Sequence, residues 1–289
     1  MKIIVGYDGS DASVAALRWA AYESQRRHAD LLAVSCYSVP TYGSPDGAVY
    51  PARDDIDMLK KGAAIAIGRA TELVAEIDPH ITMEGLAEMS PAAVTIADSA
   101  HEGDEIVVGA TGQGAFMLGM LGSVSMSVVH RSHVPVVVVP EKPQIAPGPA
   151  MGKIVVGLDG SKESLHALEW AYAEAAMCGA ELTAVHAWIY PYSGQHEPRT
   201  LMKLDAMAEL KTSLDSLGPR LTGGLVHVHP RLAEKSPAAA LLDEARDADL
   251  IVVGSHGRGA LRASLLGSVS RTVAQQATCP VAIIRRPEH

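Results

Sequence analysis

Residues 106–125 read IVVGATGQGAFMLGMLGSVS, and residues 251–270 read IVVGSHGRGALRASLLGSVS. Each stretch opens on an unbroken apolar run, which is how a strand buried on both faces reads. Each then passes through a glycine-rich segment and ends on Gly-Ser ahead of a helical pattern. The spacing Gly109, Gly112, Gly122-Ser123 recurs as Gly254, Gly257, Gly267-Ser268. The stretch therefore predicts strand, glycine loop and helix, twice in one chain.

Working outward, the rest of the chain repeats as well. Residues 3–10 (IIVGYDGS) match 154–161 (IVVGLDGS), and SPAA stands at 90–93 and at 236–239. VPVVVV at 134–139 matches CPVAII at 279–284, and the second copy is about six residues shorter through the Pro-, Gly- and Tyr-rich region 37–60. Between the copies, residues 140–149 carry Pro140, Pro143, Pro147 and Pro149. Prolines at that density continue neither a helix nor a central strand, so the segment is a linker. The domains are set at 1–142 and 151–289, joined by 143–150.

In the first copy, the apolar runs predict strands at 3–5, 31–36, 80–87, 106–108 and 136–139. Helices are predicted at 11–28, 54–77, 91–101 and 123–132. Strand–helix alternation of this kind predicts a doubly wound parallel sheet. The expected fold is α/β: two repeated Rossmann-like domains, each a five-stranded parallel sheet with flavodoxin-type strand order.

Composition narrows the function. Apolar residues make up 48% of the chain and charged ones 20%, enough to bury a core. Lys and Arg number 24 against 33 Asp and Glu, a formal charge of −9. Nucleic acid and anionic membranes are disfavoured as partners, because both need a basic face. Cys36, Cys178 and Cys279 are far apart and form no CxxC pair, so they read as small apolar residues in a reducing compartment. The opening MKIIVGYD is a short strand running into charge rather than a secretion signal. No apolar run reaches the roughly 18 residues a membrane span needs. The expected location is the cytoplasm.

The loops carry the chemistry. In open α/β sheets, ligands sit beyond the carboxyl ends of the strands at the switch point. Glycines at 109 and 112 let backbone approach a phosphate without a Cβ in the way. Gly122-Ser123 opens a helix whose first N–H groups are free and whose dipole end is positive. Ser123 and Ser125 add hydroxyl donors, or Ser123 caps the helix. The same reading holds for Gly254, Gly257, Gly267, Ser268 and Ser270. Asp8 and Asp159, at the ends of the first strands, either meet adenosine or a magnesium ion or help cap the following helix.

At these residues the chain resembles the universal stress protein family, in its tandem form and its ATP-binding branch. The resemblance covers nearly all 289 residues. It implies a first site of Gly6, Asp8, Cys36, Gly109, Gly112, Gly122, Ser123, Val124 and Ser125. It implies a second of Gly157, Asp159, Ala187, Gly254, Gly257, Gly267, Ser268, Val269 and Ser270, with Cys36 and Ala187 facing adenine through their backbones. It implies ATP as ligand, a stress-response regulatory role, and an unidentified protein partner; Asp8 and Asp159 are the residues that would meet magnesium. It also implies pairing of the last strands, 135–139 with 280–284, and a further homodimer through them. The second loop alone carries His256, Arg258 and Arg262, where the first has Thr111, Gln113 and Met117. Arg258 is added to the second site, and tighter nucleotide binding is expected there.

No catalytic residue is assigned. The chain lacks Gly-x4-Gly-Lys-Ser/Thr, lacks Gly-x-Gly-x-x-Gly in its first strand–helix turns, and lacks Gly-x-Ser-x-Gly. No general base stands beside the loops. A slow ATPase, and a scaffold binding another adenine nucleotide such as cyclic AMP, remain the alternatives.

Overall fold

A computed structural model describes residues 1–38, 43–44, 47–48, 53–112, 121–145, 148–191, 198–218, 224–258 and 266–285. In the first repeat β1 (Lys2–Gly6), β2 (Asp30–Tyr37), β5 (Met83–Met89), β6 (Glu105–Gly109) and β7 (Val136–Val139) alternate with α1 (Asp11–Arg27), α2 (Arg53–Ile77), α3 (Ala92–Asp98) and α4 (Ser123–Arg131). A two-residue ribbon, β3 (Gly43–Ser44) with β4 (Gly47–Ala48), interrupts the β2–α2 connection. The second repeat runs β8 (Lys153–Leu158), α5 (Lys162–Cys178), β9 (Glu181–Trp188), α6 (Arg199–Asp215), β10 (Val228–Glu234), α7 (Pro237–Glu244), β11 (Leu250–Gly254), α8 (Ser268–Gln276) and β12 (Val281–Ile284).

The motif Gly-x-Asp-Gly-Ser folds the same way in both copies. Ser10 and Ser161 are the N-caps of α1 and α5, accepting from the Ser13 and Ser164 amides. Gly9 and Gly160 sit at φ 79 and 74, a region where a side chain is strained. The following serine amides donate to Asp8 Oδ1 and Asp159 Oδ1 at 2.9 Å.

Apart from the β3–β4 ribbon, the described strands join in one ten-stranded sheet, ordered β10-β9-β8-β11-β12-β7-β6-β1-β2-β5. The expected doubly wound parallel sheet is present, but its order within a repeat is not the flavodoxin type. The third strand lies outside the second rather than between the first and fourth. Its composition requires this: β5 carries Glu84 and Glu88, and β10 carries Pro230 and Arg231. A central position would bury those charges and lose a ladder bond at the proline, whereas an edge tolerates both. Strands β1 and β6 are therefore direct neighbours, Ile4 opposite Ile106. Strand β5 starts later than expected because Asp78 turns the chain first, its carboxylate accepting from the His80 amide at 2.9 Å.

The last strands pair antiparallel, Val281 with Val138 and Ile283 with Val136. Each also has a parallel neighbour on its other side. A homodimer through these strands therefore has no open edge to use; the edges of this sheet are β5 and β10. The apolar cores are continuous across the junction. One holds Trp19, Leu17, Leu168 and Tyr172; the other holds Ile106, Val138, Ile251 and Ile283. The linker lies back on the body, with the Gln144 amide donating to the Thr278 carbonyl at 2.6 Å.

Candidate functional site

At the carboxyl ends of β8 and β11, where the winding reverses direction, the second repeat encloses a cleft of about 550 Å³. Every residue expected in this repeat lies on its wall: Gly157, Asp159, Ala187, Gly254, Gly257, Arg258, Gly267, Ser268, Val269 and Ser270. Leu158, Val185, Pro237, Leu241 and Val253 complete it with apolar surface. The sequence reading missed these. The SPAA repeat pointed to Pro237, but without the fold nothing aimed that helix start at the loop.

Each glycine has its own physical reason, and two differ from the expected one. A Cβ on Gly109 would lie 2.7 Å from the Ala12 carbonyl carbon, and one on Gly254 would lie 3.0 Å from that of Glu163. These glycines admit the first turns of α1 and α5 against the strand ends rather than a phosphate. A Cβ on Gly112 or Gly257 would stand 3.1 or 2.4 Å from the Asp8 or Asp159 carboxylate. Those glycines let the aspartate meet the loop. Gly6 and Gly157 make room for Ile96 and Leu241 on the opposite face.

The serines also divide their work differently. Ser270 Oγ donates to the Gly254 carbonyl and Ser125 Oγ to that of Gly109, both at 2.6 Å and both buried. Their protons are committed to the loop and are not free for a ligand. Ser123 does not cap its helix: the N-caps of α4 and α8 are Gly122 and Gly267, which have no side chain to offer the first-turn amides. Such amides are an anion site by construction, and in the second repeat Ser268, Val269 and Ser270 bring them to the cleft. The loop bases are closed by Gly122 N–H to the Ala110 carbonyl at 2.7 Å and Gly267 N–H to that of Ser255 at 2.8 Å.

Asp159 does not fit a resident magnesium ion. Its Oδ1 takes the Ser161 amide and hydroxyl, and its Oδ2 takes the Arg258 amide at 3.0 Å, which fills most of its acceptor capacity. Burial pushes its carboxyl up, but the bonds from Ser161 and Arg258 outweigh that and hold it below the usual carboxylate value. No cluster of three or more His, Cys, Asp or Glu side chains suited to a metal occurs among the described residues. Asp8 and Asp159 are loop anchors in this geometry, closer to the capping alternative.

In the first repeat Gly6, Asp8, Gly109, Gly112, Gly122 and Ser125 repeat this backbone arrangement. Val124 is exposed, as is Ser123. Cys36 is half-buried, its Sγ 3.8 Å from Ser90 Oγ. The loop spans 113–120 and 259–265, including Gln113, Met117 and Arg262, lie outside the described residues, as do most of 39–52 and 192–197.

Arg258 reaches a partner that the sequence did not suggest. Its Nη1 donates to Glu209 Oε1 on α6 at 2.8 Å. Glu209 Oε2 in turn lies 3.5 Å from His186 Nε2, and His186 Nδ1 lies 3.1 Å from the Leu158 carbonyl oxygen.

Fold and site together define a tandem doubly wound α/β protein with a glycine-loop cleft beside the first strand. The family model described as Universal stress protein family matches residues 1–140 and 151–285. The chain is 35% identical over 291 residues to a universal stress protein of Mycolicibacterium smegmatis, covering 98% of this chain and 96% of that one. It is 34% identical over 292 residues to one from Mycobacterium tuberculosis, covering 98% and 97%. Among solved structures, a universal stress protein from Archaeoglobus fulgidus superposes with a TM-score of 0.72 at 21% identity, covering 99% of this chain and 97% of that one. The chain belongs to the universal stress protein family. No helix among the described residues is long and apolar enough to cross a membrane.

Proposed function

We propose that this chain is an ATP-binding regulatory protein with one nucleotide site per repeat, acting through occupancy rather than turnover. The observation that carries the reading is the second-repeat cleft: apolar surface from Val185, Ala187 and Leu241 on one side, the glycine-capped start of α8 on the other, and Arg258 at the wall. An adenine fits the first chemistry and a phosphate chain the second. Of the cleft-wall side chains that could act as a base, Asp159 is held by Ser161 and Arg258, and His256 Nδ1 lies 3.1 Å from Ser255 Oγ; the reading is therefore one of binding rather than hydrolysis. Magnesium, when present, is held by the phosphates and water rather than by a protein cage.

The test is to denature gently purified protein and identify the released nucleotide by mass spectrometry, then titrate stripped protein with ATP and magnesium. Release of ATP, or micromolar binding on addition, supports the reading. Release of cyclic AMP alone would reassign the ligand. No adenine nucleotide in either experiment would defeat it.

A further inference from the structure

We propose that Glu209 is a specificity-determining residue of the second site: it occupies the Arg258 guanidinium as an internal stand-in for phosphate, and a ligand's phosphate must displace it. This rests on the nucleotide reading above and adds which part of the ligand the site measures.

Arg258 is fixed at both ends. Its amide donates to Asp159 Oδ2 at 3.0 Å, and its Nη1 donates to Glu209 Oε1 at 2.8 Å. Between those ends the guanidinium passes over Gly160, where a Cβ would come within 2.2 Å of Nη2. Glycine at 160 is thus what lets the arginine cross from the loop to α6 along the cleft wall. Behind Glu209 lies the buried His186, its Nε2 3.5 Å from the Glu209 carboxylate and its Nδ1 3.1 Å from the Leu158 carbonyl oxygen. The residues that build this bridge differ in the first repeat: Gln113 stands where Arg258 does, and Ser35 where His186 does. The bridge is therefore a property of one site and not of the shared scaffold.

The exchange has a direct chemical logic. A carboxylate and a phosphate oxygen are the same kind of partner for a guanidinium. A ligand with a phosphate chain gains a charge-assisted contact from Arg258 only after the Glu209 contact breaks, and α6 loses its tie to the loop at that moment. A ligand without phosphates leaves the pair intact. The site would thus weigh phosphate content against Glu209 and report it through α6.

The experiment uses the full chain carrying Gly122→Glu, so that the second site alone reports. ATP and adenosine are titrated calorimetrically into this protein and into its Glu209→Gln, Arg258→Gln and doubly substituted forms. The expected result is that Glu209→Gln tightens ATP about two- to fivefold, the range of a half-exposed ion pair, and leaves adenosine unchanged. In the Arg258→Gln background the same change should no longer tighten ATP. Unaltered ATP affinity in Glu209→Gln, equal tightening of adenosine, or equal tightening without Arg258 would each overturn the proposal while leaving the nucleotide reading intact. Failure of the unsubstituted chain to bind ATP would overturn both.

Discussion

Arg27 of α1 donates to Glu174 of α5 across the boundary between the repeats, while its Nε bonds Glu23 on its own helix. Arg26 also bonds Glu23 and reaches the Gly148 carbonyl of the linker at 2.9 Å. The two guanidiniums lie over Trp19 and Trp170, each 5.9 Å from the ring centre. Glu105, first residue of the strand that leads into the glycine loop, completes the cluster. Its carboxylate is buried and has no hydrogen-bond partner among the described residues; Arg27 Nη2 is 3.8 Å away. Three buried carboxylates thus share two guanidiniums at the seam of the molecule.

That imbalance predicts a pH dependence of stability. Burial, then the charge of Glu23, pushes the Glu105 carboxyl well above its ordinary value, and the same causes push Glu174 up to about 7. A glutamate in the unfolded chain titrates near 4.3. Between the two values the native state holds protons that the unfolded state has lost, so stability falls as pH rises through that window. Full stabilisation lies below the unfolded value and is lost by the folded one. Glu105→Gln should raise stability at pH 8 and flatten the slope by up to about 1.4 kcal/mol per pH unit. Urea unfolding from pH 5 to 8 measures this; parallel profiles for the two proteins would refute it.

The glycines of one loop should respond unequally to alanine. At Gly109 the new Cβ meets backbone of Ala12 at 2.7 Å, which cannot rotate away, whereas at Gly122 the nearest atom is 3.4 Å off. Gly109→Ala should cost about 1–3 kcal/mol, the range for overpacking. Gly122→Ala should be close to neutral. Equal losses in chemical denaturation would show that the close approach of α1 is not what Gly109 serves.

Ser270→Ala should cost stability more than binding. Its hydroxyl proton is used on the buried Gly254 carbonyl, and leaving that acceptor unpaired costs about 1–3 kcal/mol. Nucleotide affinity should change less than threefold at a temperature where the protein is folded. A large affinity loss with unchanged stability would return the hydroxyl to the ligand.

The two sites should be separable and unequal. Glutamate at Gly122 or Gly267 puts a carboxylate at the start of α4 or α8, and each substitution should remove one of two bound equivalents of ATP. The site left in Gly122→Glu should bind more tightly, because only the second loop carries Arg258, by a margin that the Glu209 contact holds down and that Glu209→Gln should widen. Equal residual affinities in calorimetry would sink the asymmetry.

Much of the fold was legible because it was written locally and twice. The both-face apolar runs at 106–108 and 251–253 had to be inner strands, and the Asp-Gly-Ser turns had to precede helices. The strand order was not read: the flavodoxin type was expected from strand–helix alternation, which carries no information on order, whereas Glu84, Glu88 and Pro230 in the third strands fit the sheet edges where they stand. The site was legible as a set of positions and not as a set of roles. Gly109, Ser125 and Asp8 stood where expected, yet their partners are Ala12, the Gly109 carbonyl and the Ser10 amide.

What the sequence by itself determined is the doubled α/β pattern and the glycine motifs after the fourth strands. These follow from backbone sterics and hydrophobic periodicity, which act over a few residues. Only the tertiary structure decided that Arg258 faces Glu209 and that Arg27 reaches Glu174. Those partners lie tens to more than a hundred residues apart. A charged or polar group commits to a distant partner only once packing has removed water from around it.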